Sequence, residues 1–480
     1  MNIKINRNSE TPIYLQIKTA IISLITSQEL ISGYKLPSER KLAEELSVHR
    51  NTVVKAYSEL TCEGYLYASR KTPKGYFVTE SQDHQSFTGR FFPLEKLIQY
   101  DFNEREKTFL EIFDRSSEDF HICMGGLIMS REAYPTQQID ELACGMFHSS
   151  VDETERLKEN VCKLLSSENI YVNKKNIQIV SETNQAIGFL MDLFLHDGDC
   201  ILAEEPIVPD NVSLFRQKRL HLVTVPMEHD GMDLVALKAL IAKHKPKFIY
   251  TMPNYHNPTG ITMSLEKRLQ LLHIAQSCGI PIIEEDSQRE FRYTDSRIPS
   301  LYALDKQNSV IYLHSFTLTV PYGIKTGYMI GPYDLAEQLG RCIMVNGYDL
   351  KNVDHFLLNE YIERGLFRQH TEWLAEHYRA KRDLLIRELE TVRSKGLDWD
   401  LPDGGLLLWC RLADNIKERR LYQVARKKGL LLMPGFLFYP QGYQGCGHIR
   451  LSFSKCSDDE IREGVRLLGE ALDACIREDL

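Results

Sequence analysis

Apolar residues recur every three or four positions through the first part of the chain and predict three helices there. The Thr11-Pro12 pair favours the start of the first helix, and Ser38 is a good N-cap for a short second helix. The apolar positions of the three helices are Tyr14, Ile17, Ile21, Leu24 and Ile25, then Leu42, Ala43 and Leu46, then Val53, Ala56, Tyr57 and Leu60. Because a tight turn separates the last two helices, the pattern predicts a helix-turn-helix.

Two short apolar segments follow the third helix and predict a β-hairpin. Gly64 ends the helix, and residues 65–67 and 76–78 are the predicted strands. The tip between the strands is basic and contains Arg70, Lys71, Pro73, Lys74 and Gly75. A basic hairpin beside a helix-turn-helix is a wing, so residues 1–79 are predicted to form a winged helix-turn-helix domain.

The polar face of the third helix carries groups that hydrogen-bond to bases and phosphates. These residues lie toward the N-terminal end of the helix and comprise His49, Arg50, Asn51, Thr52 and Lys55. In a helix-turn-helix, this end of the second helix meets the major groove. A run of charge more often marks only a solvated helix face. Here the placement of the polar groups and the basic hairpin agree, which favours binding to double-stranded DNA.

The chain beyond residue 79 divides into a polar linker and two predicted lobes. We interpret residues 80–118 as a linker with short helices near 94–100 and 107–113. Strand and helix patterns alternate over residues 119–354 and predict an α/β domain on a largely parallel sheet, and residues 355–480 predict a small α+β lobe. The predicted strands of the α/β domain are 177–180, 200–203, 220–225, 248–251, 280–283, 310–313 and 327–330. The predicted helices include 184–195, 234–243, 265–278 and 458–477.

Composition and length are those of an ordinary soluble protein with more than one domain, with 480 residues of which 43% are hydrophobic and 26% charged. No apolar run approaches the length of a bilayer span, and the N-terminus lacks the apolar core of a signal peptide. The 11 cysteines form no Cys-x-x-Cys pair, which argues against a disulfide framework and a zinc site. We therefore expect a cytoplasmic protein without a metal centre or a membrane partner.

The net charge of −8 is unevenly distributed along the chain. Residues 1–79 hold 11 Lys and Arg against 7 Asp and Glu and so carry +4, which leaves −12 for the remainder. Only the predicted DNA-binding segment is basic. The acidic remainder disfavours indiscriminate association with DNA and leaves recognition to the winged segment.

Three short motifs in the N-terminal segment closely resemble the winged helix-turn-helix of the GntR family of bacterial transcription regulators. They are Leu36-Pro37-Ser38-Glu39-Arg40, Arg50-Asn51-Thr52-Val53 with Ala56-Tyr57, and Glu63-Gly64-Tyr65. The resemblance implies that DNA is contacted by Ser38, Arg40, Arg50, Thr52 and Gly75. His49 stands where the family usually has Ser or Thr, so the resemblance leaves the preferred DNA sequence open.

Five motifs in the remainder look like those of the fold-type I aminotransferases, and they occur in the right order. They are the segments Pro253 to Gly260, Ile282 to Asp286, Ser315 to Tyr328, Pro402 to Gly405 and His448 to Phe453. A GntR-like head fused to such a domain resembles the MocR subfamily, and the likeness covers nearly the whole chain apart from the linker. The resemblance implies a homodimer, and it implies pyridoxal phosphate as the family cofactor.

Pyridoxal phosphate chemistry requires a lysine that forms a Schiff base, a carboxylate at the ring nitrogen, an aromatic group over the ring and donors for the phosphate. In the family the lysine follows Ser-Phe-Ser, whereas this chain has Ser315-Phe316-Thr317-Leu318. Leucine has no amine, so the resemblance implies that no Schiff base forms at Leu318. Lys325 stands where the family has a phosphate-binding arginine, and it keeps the charge without the bidentate fork.

Other positions of the expected cofactor site are changed as well. Where the family has Gly-Ser-Gln at a helix start, this chain has Glu182, Thr183 and Asn184, and Val208 and Ser287 replace two tyrosines. Thr183 and Asn184 can still donate hydrogen bonds. Glu182 brings a negative charge to a helix N-terminus that would otherwise favour phosphate.

Three expected pocket residues are retained, namely Asn257, Asp286 and Arg450. Asp286 ends an apolar strand, in the crevice where open α/β sheets bind ligands. By resemblance, Arg450 would bind a substrate carboxylate. The alternative is a purely structural role, with Asn257 in the turn that Pro258 starts and Asp286 as a cap of backbone donors.

Together these features favour a sequence-specific DNA-binding transcription regulator with a degenerate, non-catalytic aminotransferase-like domain. Its implied partners are double-stranded DNA, a second copy of the chain and a small-molecule effector, with no covalently bound cofactor. One alternative is a pyridoxal-phosphate-dependent enzyme with a DNA-binding appendage, or a noncovalent pyridoxal phosphate sensor. Another is a pure dimerisation scaffold. Amine transfer would favour the enzyme, and DNA affinity insensitive to metabolites would favour the scaffold.

Overall fold

The structure is a computed structural model that describes most of the chain. It leaves out residues 1, 2, 4, 8, 10, 28, 32, 70–73, 80–101, 114–121, 135–140, 143–151, 321–323, 348–352, 441–446 and 478–480. The predicted DNA contact at Lys71 and the predicted helix at 94–100 therefore lie outside the described residues. The chain divides into two compact units, residues 1–101 and 102–480.

The first unit contains the three predicted helices. Helix α1 spans Ile13–Thr26, α2 spans Glu39–Glu45 and α3 spans Arg50–Cys62. Helix α1 begins one residue later than predicted, with Pro12 as its N-cap. The predicted apolar stripes meet in a single core, whose fully buried members include Ile17, Ile21, Leu42, Val53, Ala56, Tyr57 and Leu60.

The predicted hairpin of the first unit is also present. Strands β1 (Leu66–Ser69) and β2 (Gly75–Val78) pair antiparallel, with Leu66 opposite Val78. Gly75 has φ +149°, and a Cβ atom there would lie 3.0 Å from Cε of Lys35. The flexible Lys35 side chain could move away, so the positive φ is what favours glycine at the start of β2.

A further helix, α4 (Glu104–Phe113), belongs to the second unit, although its sequence lies in the stretch interpreted as a linker. Its residue Glu106 is buried, accepts a hydrogen bond from Ser213 Oγ (2.8 Å) and pairs with Arg216 (3.1 Å). Arg105 donates to the carbonyl oxygen of Tyr439. The polar character of this segment thus reflects docking through ion pairs and hydrogen bonds.

The centre of the second unit is an eight-stranded mixed sheet. In spatial order its strands are β4 (Ile177–Val180), β11 (Gly327–Ile330), β10 (Val310–Ser315), β9 (Ile282–Glu285), β8 (Phe248–Thr251), β5 (Cys200–Glu205), β6 (His221–Glu228) and β7 (Gly231–Met232). The strands from β10 to β6 are parallel, whereas the pairs β4–β11, β11–β10 and β6–β7 are antiparallel. The prediction of a largely parallel sheet holds for the centre only, because short connections such as that from β6 to β7 cannot make a parallel crossover.

Helices cover both faces of this sheet. They are α5 (Glu153–Ser167), α6 (Thr183–Phe194), α7 (Pro209–Gln217), α8 (Leu234–His244), α9 (Leu265–Cys278), α10 (Leu301–Leu304), α11 (Tyr333–Val345) and α12 (Val353–Glu363). Along β5, Ile201 and Ala203 join the core formed with α6 and α11, while Cys200 and Leu202 join the core formed with α8 and α9. Alternate residues of the strand therefore face opposite helical layers.

The predicted small α+β lobe follows. Its helices are α13 (Leu366–Glu390), α14 (Glu418–Lys427) and α15 (Asp458–Arg477). Its antiparallel sheet contains β12 (Leu397–Trp399), β13 (Leu407–Leu412), β16 (His448–Ser452) and β15 (Met433–Pro434), and β3 (Ile122–Cys123) pairs with β14 (Leu430–Leu431). Short 3-10 turns lie at Arg131–Ala133, Lys174–Asn176, Arg393–Lys395 and Gly435–Phe438. The helices of the described residues include none whose length and apolar content would let it span a bilayer.

Arg268 on α9 clamps the loop that follows β8. Its side chain is fully buried, and its guanidinium donates to the carbonyl oxygens of Met263, Pro299 and Pro253, each at 3.0 Å, and to Oδ1 of Asn254 at 2.6 Å. One planar group thus joins three separate segments of backbone. This clamp positions the loop that carries Asn257.

Replacing Arg268 with Met should lower the free energy of unfolding by about 3 kcal/mol or more, because three backbone carbonyl groups lose their donor. Urea denaturation measures the change. Arg341→Met is the matched control, since its exposed guanidinium pairs with Glu337 across one helical turn and its loss should cost less than about 0.5 kcal/mol. Equally small effects in both variants would contradict the clamp.

Candidate functional site

The N-terminus of α3 presents the predicted DNA-contacting residues on the surface of the first unit. His49 is exposed and is the N-cap of α3, where its Nδ1 accepts a hydrogen bond from the backbone N–H of Asn51 (3.2 Å). Histidine in place of the family's Ser or Thr therefore still caps the helix. Asn51 and Arg50 are exposed, and Thr52 is half-buried.

Glu39 joins three elements of the first unit, and sequence reasoning gave it no role of its own. Its Oε2 accepts from Nη2 (2.8 Å) and Nε (3.2 Å) of Arg50, while its Oε1 accepts from the hydroxyl of Tyr76 in β2 (3.3 Å). Glu39 is the first residue of α2, so its carboxylate connects α2, α3 and the wing. The Arg50 guanidinium is thus oriented while half of its side chain, 51%, stays exposed.

The other predicted DNA contacts within the described residues are Ser38, Arg40, Lys55, Lys74 and Gly75. Ser38 precedes Glu39, and its Oγ accepts from the backbone N–H of Lys41 (3.3 Å) as the N-cap of α2. Arg40 and Lys74 are exposed, and Gly75 precedes Tyr76. Lys55 lies with its ammonium 3.7 Å from the ring centroid of Tyr14 in α1, so this lysine packs on its own domain.

A second candidate site lies at the carboxyl ends of the parallel strands of the second unit. Glu182 is the N-cap residue of α6, and its Oε2 accepts from Ser315 Oγ (2.8 Å) while its Oε1 accepts from Thr317 Oγ1 (2.7 Å). Ser315 is the last residue of β10. A carboxylate therefore lies between the start of a helix and the end of a strand, at the edge where open α/β sheets bind ligands.

Glu285 joins the same cluster. It ends β9, accepts from Oγ1 of Thr183 and Oγ of Ser287 (3.0 Å each), and accepts from the hydroxyl of Tyr250 (2.5 Å). Burial raises the pKa of the Glu285 carboxyl above its usual range. The neighbouring Asn184 donates to Oδ2 of Asp210 (3.3 Å). Both predicted helix-start donors, Thr183 and Asn184, are therefore bonded to carboxylates.

Asp286, unlike Glu285, makes no hydrogen bond to Thr183 in the structure. Oδ1 of Asp286 accepts from Asn254 (2.8 Å), and Oδ2 of Asp286 accepts from the hydroxyl of Tyr312 (2.7 Å). Successive residues of an extended chain point to opposite faces, so Glu285 and Asp286 are directed to different sides. This alternation was the signal in the sequence that could have identified Glu285 as a site residue. Either acidic residue could end the strand, but only one of the two could face α6.

Asn257 and Arg450, two of the predicted pocket residues, are hydrogen-bonded to each other. Arg450 Nη1 donates to Oδ1 of Asn257 (3.0 Å), and Nη2 donates to the carbonyl oxygen of Gly125 (2.5 Å). The guanidinium lies 5.1 Å from the ring centroid of Phe438, and its Nε has no hydrogen-bond partner among the described residues. Burial lowers the pKa of Arg450 to about 10. Arg450 therefore stays charged at neutral pH in a site with donor capacity to spare.

Leu318 and Lys325 occupy different surroundings. Leu318 is half-buried and packs against the apolar core that includes the small lobe. The Lys325 side chain is exposed, and its backbone N–H donates to Oδ2 of Asp354 (3.3 Å).

Glu204 of β5 holds the start of the loop that carries Asn257. This buried carboxylate accepts from Thr251 Oγ1 (2.6 Å) and from the backbone N–H of Met252 (2.8 Å), and it lies 3.5 Å from Nε2 of His256. Burial raises the pKa of Glu204 to about 7 and lowers that of His256 to about 3. Both groups are therefore mainly neutral near pH 6.

Comparison with known proteins identifies relatives of both units. Residues 13–78 match the bacterial regulatory proteins of the gntR family, and residues 131–468 match aminotransferase class I and II. The uncharacterized HTH-type transcriptional regulator YisV of Bacillus subtilis (strain 168) is 25% identical over 475 residues, which cover 97% of this chain and 97% of YisV. HTH-type transcriptional regulator NorG of Staphylococcus aureus (strain USA300) is 24% identical over 445 residues, 90% of this chain and 98% of NorG.

Among solved structures, LysN, the alpha-aminoadipate aminotransferase of Thermus thermophilus, is 25% identical and has a TM-score of 0.70. The match covers 81% of this chain and 98% of that chain. These comparisons confirm the predicted combination of a GntR-type helix-turn-helix and a fold-type I aminotransferase fold.

The buried Glu204 gives the second unit a pH-dependent stability. Because its pKa is about 7 when folded and about 4.3 when unfolded, the folded state holds the proton more tightly and stability falls as the pH rises from about 4.5 to 7. In urea denaturation across this window, Glu204→Gln should reduce the slope by up to about 1.4 kcal/mol per pH unit. Glu337→Gln, at the surface, should leave the profile parallel to that of the unaltered protein. A Glu204→Gln profile equally parallel to it would contradict the assignment.

Proposed function

The chain belongs to the aminotransferase class I and II family and carries an N-terminal GntR-family helix-turn-helix domain, and on this basis we propose that it is a sequence-specific transcription regulator with a non-catalytic aminotransferase-like domain. Its relatives YisV and NorG, which align over most of its length, are named HTH-type transcriptional regulators. This order of domains is MocR-like. In the proposal, the N-terminal domain binds DNA and the aminotransferase-like domain binds a ligand that regulates it.

The exposed N-terminus of α3 carries the proposal for DNA binding. The apolar face of this helix is fully buried while Arg50 and Asn51 are exposed at its start. Arginine and asparagine are the side chains that make bidentate contacts with guanine and adenine in the major groove. The carboxylate of Glu39 orients Arg50, which lowers the entropy cost of a base contact.

The residues at the second site support a non-catalytic role, because they do not fit pyridoxal phosphate, which the aminotransferase family binds. By resemblance Leu318 holds the Schiff-base position, and its half-buried side chain packs on an apolar core. The Lys325 side chain is exposed. Without an amine at position 318 the usual route of transamination is closed.

The proposed assembly is a cytoplasmic homodimer that binds a small-molecule effector near Asn257 and Arg450. Aminotransferase-like domains are generally dimers with their sites at the interface, so a dimer would hold two winged heads for two DNA half-sites. The buried Arg450, with an Nε atom that lacks a partner in the described part of the chain, supports an anionic group on the effector.

Replacing Arg50 with Ala should weaken binding to the specific operator by about 1–3 kcal/mol and should affect random DNA much less, because a base contact is lost. Fluorescence anisotropy at several salt concentrations measures both. Lys74→Ala is the matched control, since this exposed wing lysine should weaken both DNAs alike and lower the salt slope by about 1. Equal losses for Arg50→Ala on both DNAs would make Arg50 a phosphate contact.

Pyridoxal phosphate should give no stoichiometric lysine adduct with the intact protein, because Leu318 has no amine. The measurement is an absorbance titration, followed by borohydride reduction and peptide mass analysis. One adduct per chain fixed at Lys325, abolished in Lys325→Arg, would contradict the non-catalytic proposal. Substoichiometric labelling spread over surface lysines is the expected background.

A further inference from the structure

Glu182 lies at the start of α6 without capping that helix. Its backbone is extended (φ −155°, ψ 161°), and its side chain accepts no hydrogen bond from the helix N–H groups. Instead its two oxygens accept from the hydroxyls of Ser315 and Thr317, at 2.8 and 2.7 Å. The carboxylate therefore spans the gap between α6 and the turn after β10.

The groups that meet at Glu182 are those of an anion-binding site. Two hydroxyl donors converge on its oxygens from the β10 side, and the positive end of the α6 dipole lies on the other side. A hydroxyl has one proton to donate. Ser315 Oγ and Thr317 Oγ1 also lie 2.9 Å apart, so each proton is directed at Glu182 or at the other hydroxyl. Neither proton is left for a bound phosphate.

The side chains of the next two residues, the first two of α6, also donate their hydrogen bonds to carboxylates within the chain. Thr183 Oγ1 donates to Glu285 (3.0 Å), and Asn184 Nδ2 donates to Asp210 (3.3 Å). Three carboxylates, those of Glu182, Glu285 and Asp210, thus lie at the helix start. In their ionised forms they would repel a phosphate dianion there.

We propose that the Glu182 carboxylate fills the position that, by resemblance to the aminotransferases, would hold the cofactor phosphate, so that the site at the start of α6 selects ligands without a phosphate group. This inference rests on the proposed function and narrows its effector to an unphosphorylated compound. Glu182 is then a specificity-determining residue, because it takes the donors and the space that a phosphate would need.

The test compares inorganic phosphate binding to the full-length protein and to Glu182→Gly by isothermal titration, at constant ionic strength with chloride as the reference anion. The unaltered protein should show no saturable phosphate binding. Glu182→Gly frees two hydroxyls and the helix start, so its affinity for phosphate should be at least about tenfold higher. The preference for pyridoxal phosphate over pyridoxal should rise by a similar factor.

Glu182→Gln is the matched control, because it keeps the side-chain volume and an acceptor oxygen while it removes the charge. Because it removes the repulsion but still occupies the space and accepts from one hydroxyl, its affinity for phosphate should lie between those of the unaltered protein and Glu182→Gly. Phosphate binding by Glu182→Gln equal to that of Glu182→Gly would overturn the proposal that the side chain fills the site. Phosphate binding by Glu182→Gly no tighter than that of the unaltered protein would overturn it as well.

The unaltered protein provides a test that does not depend on the folding of any variant. Saturable binding of inorganic phosphate, or a preference of tenfold or more for pyridoxal phosphate over pyridoxal that phosphate abolishes, would overturn the inference. Neither result bears on DNA binding, and neither requires a lysine adduct. Failure of this inference is therefore distinguishable from failure of the proposed function, which the borohydride and operator measurements detect.

Discussion

Buried polar and ionisable groups near the carboxyl edge of the parallel strands are the constraint around which the second unit is arranged. A charged group removed from water must have a partner, or its burial costs several kcal/mol, on the order of the stability of a whole domain. Glu284 accepts from the backbone N–H groups of Leu301 and Tyr302, and Arg268 holds three carbonyl groups. The loops after the strands follow paths that supply these partners. The hydrogen bonds of the buried groups therefore determine the geometry of the candidate site as much as apolar packing does.

The same constraint accounts for the pairing of polar side chains at the second candidate site. Side-chain hydroxyl and amide groups that would be costly to leave unsatisfied are paired within the chain, through Glu182, Glu285 and Asp210. In the first unit a single carboxylate has a related role, because Glu39 links α2, α3 and the wing while it orients Arg50. In both units, acidic residues with no predicted binding role of their own organise the groups that were predicted to bind DNA or a ligand.

Much of the fold was predictable from periodicity because the hydrophobic period reports which residues face a core. The strands at 177–180, 248–251 and 327–330 and the helices at 265–278 and 458–477 have the predicted bounds. The direction of each strand was harder to predict from the sequence. The antiparallel pairing of β4 and β11, for example, depends on how the connections between strands cross the sheet. The helix α4 was partly missed because ion pairs such as Glu106 with Arg216 dock it, and local composition does not reveal a partner far along the chain.

The sequence by itself determined the helix-turn-helix, the α/β class, the placement of Arg50 at a helix start and the presence of leucine at position 318, because these depend on residue identity and local period. Only the tertiary structure decided which acidic side chain meets which donor. Glu285 faces Thr183, Asp286 faces Tyr312, and Glu182 bridges to Ser315 across 133 positions of sequence. The direction of a side chain at a strand end depends on register and on neighbouring loops, and hydrogen bonds between segments distant in sequence leave no periodic signal.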